Sequence, residues 1–194
     1  MKIIFLSSEA TGLIKTGGLA DVARALPLAL RQKGHDVRLV LPNYLSIART
    51  KNYSTAVSSL GVPMGNSELF CAVQQTELEQ LPVYLIEYND FFLRSHPYED
   101  VAGNPHPDNG ERFGFFCKAA LQLCLADNFI PDIIHANDWQ GALACLYLHQ
   151  YRGTYPEFAK TRSLLTIHNG GYQGHCPPST LSLIHISEPT RLRS

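Results

Sequence analysis

Residues 2–8 form a short apolar run that predicts a buried strand, followed by a loop holding Gly12, Gly17 and Gly18. From Leu19 the apolar positions Leu19, Val22, Ala23, Leu26 and Leu30 recur at helical spacing, and Gly34 stops the pattern. Asp36 to Leu41 is a second apolar run, closed by Pro42-Asn43. Strand, helix and strand within about forty residues have the size of a βαβ unit. Continuous rather than alternating apolar runs suit parallel strands covered on both faces.

The middle of the chain is less regular. Leu69 to Gln75 and Val83 to Tyr88 predict two strands joined by an acidic turn, and the proline-, Asn- and Asp-rich residues 89–109 predict an extended loop. Helical spacing returns at Phe113, Phe116, Cys117, Ala120, Leu121 and Cys124. Asp132 to Ala136 then predicts a strand, Trp139 to Tyr151 a helix, and Ser163 to His168 another strand. This alternation implies an α/β fold, an open, doubly wound, mostly parallel sheet of Rossmann-like type. The pattern fails from about Leu181. Residues 181–194 continue no periodicity and resemble an in-frame translation of sequencing-adapter DNA, so the domain is expected to occupy residues 1–180 and the tail to be foreign.

Composition narrows the function. The formal net charge of -1, without a dense run of Lys and Arg, gives no general attraction to nucleic acid or anionic lipid. No stretch approaches the roughly 20 apolar residues of a membrane helix. Polar residues follow the first apolar run at once, without a signal-cleavage pattern, so a cytoplasmic protein is expected. Cys71, Cys117, Cys124, Cys145 and Cys176 show no metal-type spacing and read as reduced thiols, three of them inside helical patterns.

In open parallel sheets ligands bind beyond the carboxyl ends of the strands. Three polar groups stand at such ends. Lys15-Thr16-Gly17-Gly18-Leu19-Ala20-Asp21 places two glycines and a lysine before a helix. The glycines permit close approach and φ > 0, and the helix start favours an anion. Taken alone, the segment is equally a tight turn in which Thr16 or Asp21 caps the helix. His135-Ala136-Asn137-Asp138-Trp139 offers the carboxylate, amides and aromatic face that suit sugar hydroxyls, although a lone Asp138 could be a helix cap. His168 and Asn169 leave a third strand end on the same sheet edge, beside Gly170, Gly171 and Gly174. The glycine pattern fits neither G-x-G-x-x-G nor a P-loop. Metal-site motifs and the G-x-S-x-G nucleophile elbow are missing from the sequence, so no metal or cofactor is expected.

Together, KTGGLADV at 15–22, HANDWQ at 135–140 and TIHNGGYQG at 166–174 resemble bacterial glycogen synthase and plant starch synthase. Ser7-Ser8-Glu9 and Asp108-Asn109-Gly110-Glu111-Arg112-Phe113 are also similar to that family, and the likeness runs over about residues 1–175. The resemblance implies the N-terminal half of a two-domain, GT-B type retaining glucosyltransferase in glycogen biosynthesis. Such an enzyme moves glucose from ADP-glucose to the non-reducing end of an α-1,4-glucan. By matched motif, Lys15 would bind ADP-glucose with the Gly17-Gly18 backbone, and Asp21 is counted with them. Asp138 and His168 would be the catalytic-site pair beside the glucose, and Asn169 would contact its hydroxyls. A C-terminal domain would complete the cleft, so the 194 residues alone are expected to have little or no transferase activity. His175 departs from the pattern, where an aromatic residue is expected. A UDP-sugar-dependent GT-B enzyme and a non-catalytic glycan-binding module remain alternatives. A nicotinamide-dependent oxidoreductase would lack its glycine fingerprint.

Overall fold

The structure is a computed structural model that describes residues 1–50, 52–177 and 180. The expected boundary at residue 180 and the tail 181–194 therefore lie at or outside the described residues.

The chain runs through β1 (Lys2–Leu6), α1 (Leu19–Gln32), β2 (Asp36–Pro42), α2 (Leu45–Thr50), β3 (Ser54–Met64), β4 (Ser67–Leu78), β5 (Leu81–Glu87), α3 (Asn89–Phe92), α4 (Asn109–Ala126), β6 (Ile133–Asn137), α5 (Asp138–Thr154), a 3₁₀ turn (Pro156–Lys160) and β7 (Arg162–Thr166). The strands make one sheet in the order β3-β4-β5-β2-β1-β6-β7. β5, β2, β1, β6 and β7 are mutually parallel, while β3 and β4 add an antiparallel hairpin at one edge. The expected α/β, mostly parallel architecture is the one found.

Burial explains the parallel core. Ile3 to Leu6, Leu39 to Leu41 and Val83 to Ile86 are all buried, so both faces of the central strands are covered. Parallel crossovers are right-handed, which puts α1 on one face and the mutually packed α4 and α5 on the other. The chain leaves β1 toward β2 and later returns to β1's other side as β6. The carboxyl ends of β1 and β6 thus flank the switch point of the sheet, where the adjacent loops part.

Three parts of the sequence reading need correction. The polar segment before β4 is a full strand, β3, bulged between Thr55 and Leu60 and exposed over much of its length. Residues 89–109 are not extended throughout, since α3 opens them. Nor are they loose: Arg94 pairs with Asp108 at 2.8 Å, and Asn109 Nδ2 donates to the Tyr98 carbonyl at 2.8 Å. Fully buried Arg112 donates from Nε to Phe91 O at 2.6 Å and from Nη1 to Pro97 O at 3.1 Å. In the first loop, Gly17 and Gly18 do not take the φ > 0 that their place before a helix suggests.

At the other edge, β7 keeps its side chains largely in solvent, with Leu164 50% and Leu165 40% exposed. Among the described residues no helix is long and apolar enough to cross a membrane. Cys71, Cys117 and Cys124 are buried free thiols; Cys145 is half-buried and Cys176 exposed. Burial pushes the Cys71 and Cys124 thiols up to about 12, which keeps them protonated and inert.

Candidate functional site

In the loop after β1, Gly12 turns the chain at φ 99°, and a carboxylate organises the segment at Thr16 and Gly17. Glu9, 4% exposed, accepts three hydrogen bonds on Oε2. They come from the Thr16 amide at 2.5 Å, the Thr16 hydroxyl at 3.0 Å and the Gly17 amide at 3.0 Å. Neither Gly17 nor Gly18 has positive φ; Gly18 sits at φ -70° as the residue before α1. Their use is the space they leave, since a Cβ on Gly18 would meet nothing within 4 Å. No side chain caps α1, so neither Thr16 nor Asp21 does what a plain capped turn requires. The first amides of any helix lack an intrahelical acceptor, and here they open on that uncovered glycine.

Lys15 and Asp21 are bonded to each other. Lys15 Nζ lies 2.7 and 2.8 Å from the two carboxylate oxygens, with the side chains 51% and 56% exposed. Thr11 Oγ1 donates to the same carboxylate at 2.8 Å. These partners, Lys15 foremost, hold the Asp21 carboxyl below the usual range. The lysine is thereby kept over the start of α1.

The ends of β6 and β7 form a second bonded group. Asp138 Oδ1 accepts the His168 amide at 2.7 Å and the Asn169 amide at 3.4 Å. Asp138 adopts φ 50°, a left-handed conformation that few residues other than Gly, Asn and Asp accept readily. Fully buried Asn137 donates from Nδ2 to the Leu6 carbonyl of β1 at 2.9 Å, and its Oδ1 lies 2.9 Å from His168 Nε2. His135, buried against Phe5 with ring centroids 4.6 Å apart, bonds Thr166 Oγ1 at 2.7 Å. Burial, and then the proximity of His168, lowers the His135 pKa.

Of the residues expected at the site, Lys15 is thus joined to Asp21 beside Gly17 and Gly18, and Asp138 to His168 and Asn169. No hydrogen bond joins the two groups directly among the described residues. Asn137 links the strand ends that carry them, and Tyr98 lies between. Its hydroxyl is 2.7 Å from Ser8 Oγ, and it feels the charges of both Glu9 and Asp138. Burial pushes that hydroxyl's pKa well up, so it stays protonated. Trp139 does not offer a free aromatic face. It stands edge-on to Phe113 at 4.9 Å, and Gly174, at φ 64°, is packed so closely on its ring that a side chain there would collide.

Sequence reading missed Glu9, Asn137 and Tyr98 as organising residues. Glu9 was visible only through resemblance, Asn137 was read as one polar residue among four, and Tyr98 lies in a segment read as loop. No group of three His, Cys, Asp or Glu side chains among the described residues is placed to hold a metal ion.

The sequence and the fold both have counterparts among known proteins. The chain is 45% identical over 176 residues to a glycogen synthase of Aeromonas salmonicida (strain A449), covering 90% of this chain and 36% of that protein. A glycogen synthase of Geotalea daltonii (strain DSM 22248 / JCM 15807 / FRC-32) is 42% identical over 182 residues, 93% of this chain and 37% of its own length. The chain thus spans little more than a third of these curated relatives. Among solved structures, the catalytic domain of starch synthase IV from Arabidopsis thaliana, bound to ADP and acarbose, superposes with a TM-score of 0.81 at 29% identity. That match covers 95% of this chain and 37% of the other. The family model described as the starch synthase catalytic domain matches residues 2–193. With that match over nearly the whole chain and a shared fold, the chain belongs to the starch synthase catalytic-domain family.

Proposed function

We propose that this chain is part of a retaining glycosyltransferase that moves glucose from ADP-glucose to the non-reducing end of an α-1,4-glucan in glycogen synthesis. The observation that carries this reading is the pair of bonded groups at the switch point. One is a lysine-bearing, sterically open helix start after β1; the other is a carboxylate–imidazole–amide group after β6 and β7. Lys15, with the amides after Gly17 and Gly18, takes the donor's phosphates, and Asp21 holds Lys15 for that task. Asp138, His168 and Asn169 face the transferred glucose.

Cleaving the anomeric bond builds positive charge on the sugar and negative charge on the departing diphosphate. Fixed amide dipoles and cations can stabilise such a leaving group without a metal or cofactor. This chain supplies one wall of that field, and a C-terminal domain supplies the opposite wall. The protein works in the cytoplasm, without nucleic-acid or membrane partners. Residues 1–180 are an incomplete N-terminal domain and residues 181–194 a foreign tail, so deleting the tail should leave the melting temperature unchanged.

The test is titration of the 15N-labelled 194-residue chain with ADP-glucose, and with UDP-glucose in parallel. The amides of Thr16 to Asp21, His168 and Asn169 should shift with ADP-glucose at millimolar concentration, and turnover onto glycogen should be negligible. Shifts confined to UDP-glucose, or to glucan with neither nucleotide sugar, would overturn the donor assignment.

A further inference from the structure

The buried amide of Asn137 has its orientation forced by its neighbours. Nδ2 lies 2.9 Å from Leu6 O and 3.3 Å from His135 O, and both carbonyls can only accept. Oδ1 is therefore the atom that meets His168 Nε2 at 2.9 Å, and an amide oxygen can only accept as well. A hydrogen must then sit on Nε2. In the neutral imidazole this leaves Nδ1 as a bare acceptor, and Nδ1 has no hydrogen-bond partner among the described residues. The same His168 is fixed from its backbone by Asp138, so the ring's position and its proton are set by adjacent residues of one turn.

We infer that Asn137 is a positioning residue that locks His168 in the Nε2–H tautomer and presents Nδ1 as a hydrogen-bond acceptor for a ligand hydroxyl. The identity of that hydroxyl, one on the transferred sugar, rests on the function proposed above; the tautomer does not. An acceptor nitrogen selects a group that can donate, which a sugar hydroxyl does and a phosphate dianion does not. The lock also reaches across the sheet. Through Leu6 O it ties the ring's proton to the end of β1, so the strand carrying the lysine loop and the residue facing the sugar share one buried amide.

The experiment is long-range 15N–1H correlation of the imidazoles in the full chain at a pH where His168 is neutral, with His168→Gln used to assign its peaks among the eight histidines. Unliganded His168 should show a pyrrole-like Nε2 and a pyridine-like Nδ1. In Asn137→Asp an acceptor remains and the tautomer should persist. In Asn137→Leu the ratio of tautomers should fall by about tenfold, roughly what one net hydrogen bond holds. Nδ1–H in the unaltered chain would overturn the inference whether or not the variants fold, as would an unchanged tautomer in a folded Asn137→Leu chain. Adding ADP-glucose to the same sample reads the functional proposal separately: a locked tautomer with no ligand-induced shift would sink that proposal and leave the lock standing.

Discussion

Glu9 accepts the Gly17 amide at 3.0 Å on the same oxygen that takes both the amide and the hydroxyl of Thr16. One buried carboxylate therefore sets the course of the loop that carries Lys15. Hydrogen bonds to a charged acceptor contribute more than neutral ones, about 1.5–3 kcal/mol each in net terms. Glu9→Gln keeps the shape but removes the charge and turns one oxygen into a donor. It should lower the melting temperature by roughly 3–10 °C, at about 2–4 °C per kcal/mol for a chain of this size. It should also weaken ADP-glucose binding at least as much as a change at Gly18 does. An unaltered melt and affinity would show that the loop holds itself.

The Lys15–Asp21 pair calls for the opposite signature. Both side chains are more than half exposed, so the pair is screened and adds little to stability. Lys15→Ala and Asp21→Asn should melt with the unaltered chain. In binding they should part: Lys15→Ala loses about ten- to a hundredfold in ADP-glucose affinity, the worth of one charge-assisted contact to phosphate. Asp21→Asn should lose much less, because its lysine remains but is held less firmly. Calorimetric titration of the three chains decides this, and equal losses would give Asp21 a contact of its own.

Arg112 holds the Tyr98 segment from inside. Its guanidinium donates to Phe91 O, Pro97 O and Asn109 Oδ1, and burial lowers its pKa to about 10, still well above neutrality. Arg112→Met fills much of the space but leaves those acceptors without a partner. It should cost about 3–5 kcal/mol, as removal of a buried charged partner does. Limited proteolysis should then cut within residues 93–107 before anywhere else. Protection of that segment in a destabilised variant would place the anchoring elsewhere.

The same residues show what the sequence made legible. β1, α1, β2, α4, β6, α5 and β7 announced themselves because the parallel strands hold continuous apolar residues and their helices carry a regular stripe. β3 did not, since an exposed, bulged edge strand buries only part of one face and has no clean alternation. α2 and α3, of six and four residues, are too short for a period to show. At the site, residue types and strand-end positions were readable, but their connections were not. Nothing in the spacing of HANDW indicates that Asn137 reaches Leu6, 131 residues away. Gly17 and Gly18 were expected to give close approach and φ > 0; they leave room without positive φ, and Glu9 holds the segment.

β7 presents a further consequence of its exposure. Leu164 on β7 and Ile167 just after it stand 50% and 68% exposed, and the outer edge of β7 is unpaired among the described residues. Such an edge invites pairing with another chain. The 194-residue chain should therefore associate as its concentration rises, and Leu164→Lys with Ile167→Lys should abolish this without moving the melting temperature. Sedimentation velocity across a concentration series is the measurement, and a chain that stays monomeric throughout would show the edge to be inert.

His135 gives the fold a defined response to acid. Burial first, and the neighbouring His168 second, lower its pKa in the folded state below the ordinary value of 6.5. Between the two values the unfolded chain binds the proton and the folded chain does not, so stability rises with pH through that window. The contribution is complete above about pH 6.5. It is lost as pH falls below that value toward the folded pKa. Protonation would also place a cation against Phe5 and change the bond to Thr166 Oγ1. His135→Gln keeps a polar partner for Thr166 but cannot titrate, so its melting temperature should fall less steeply than that of the unaltered chain between pH 6.5 and 5. The histidines that do not face His135 are common to both chains and cancel in the comparison, whereas His168 is coupled to it. Parallel melting curves over that range would assign the acid sensitivity to another group.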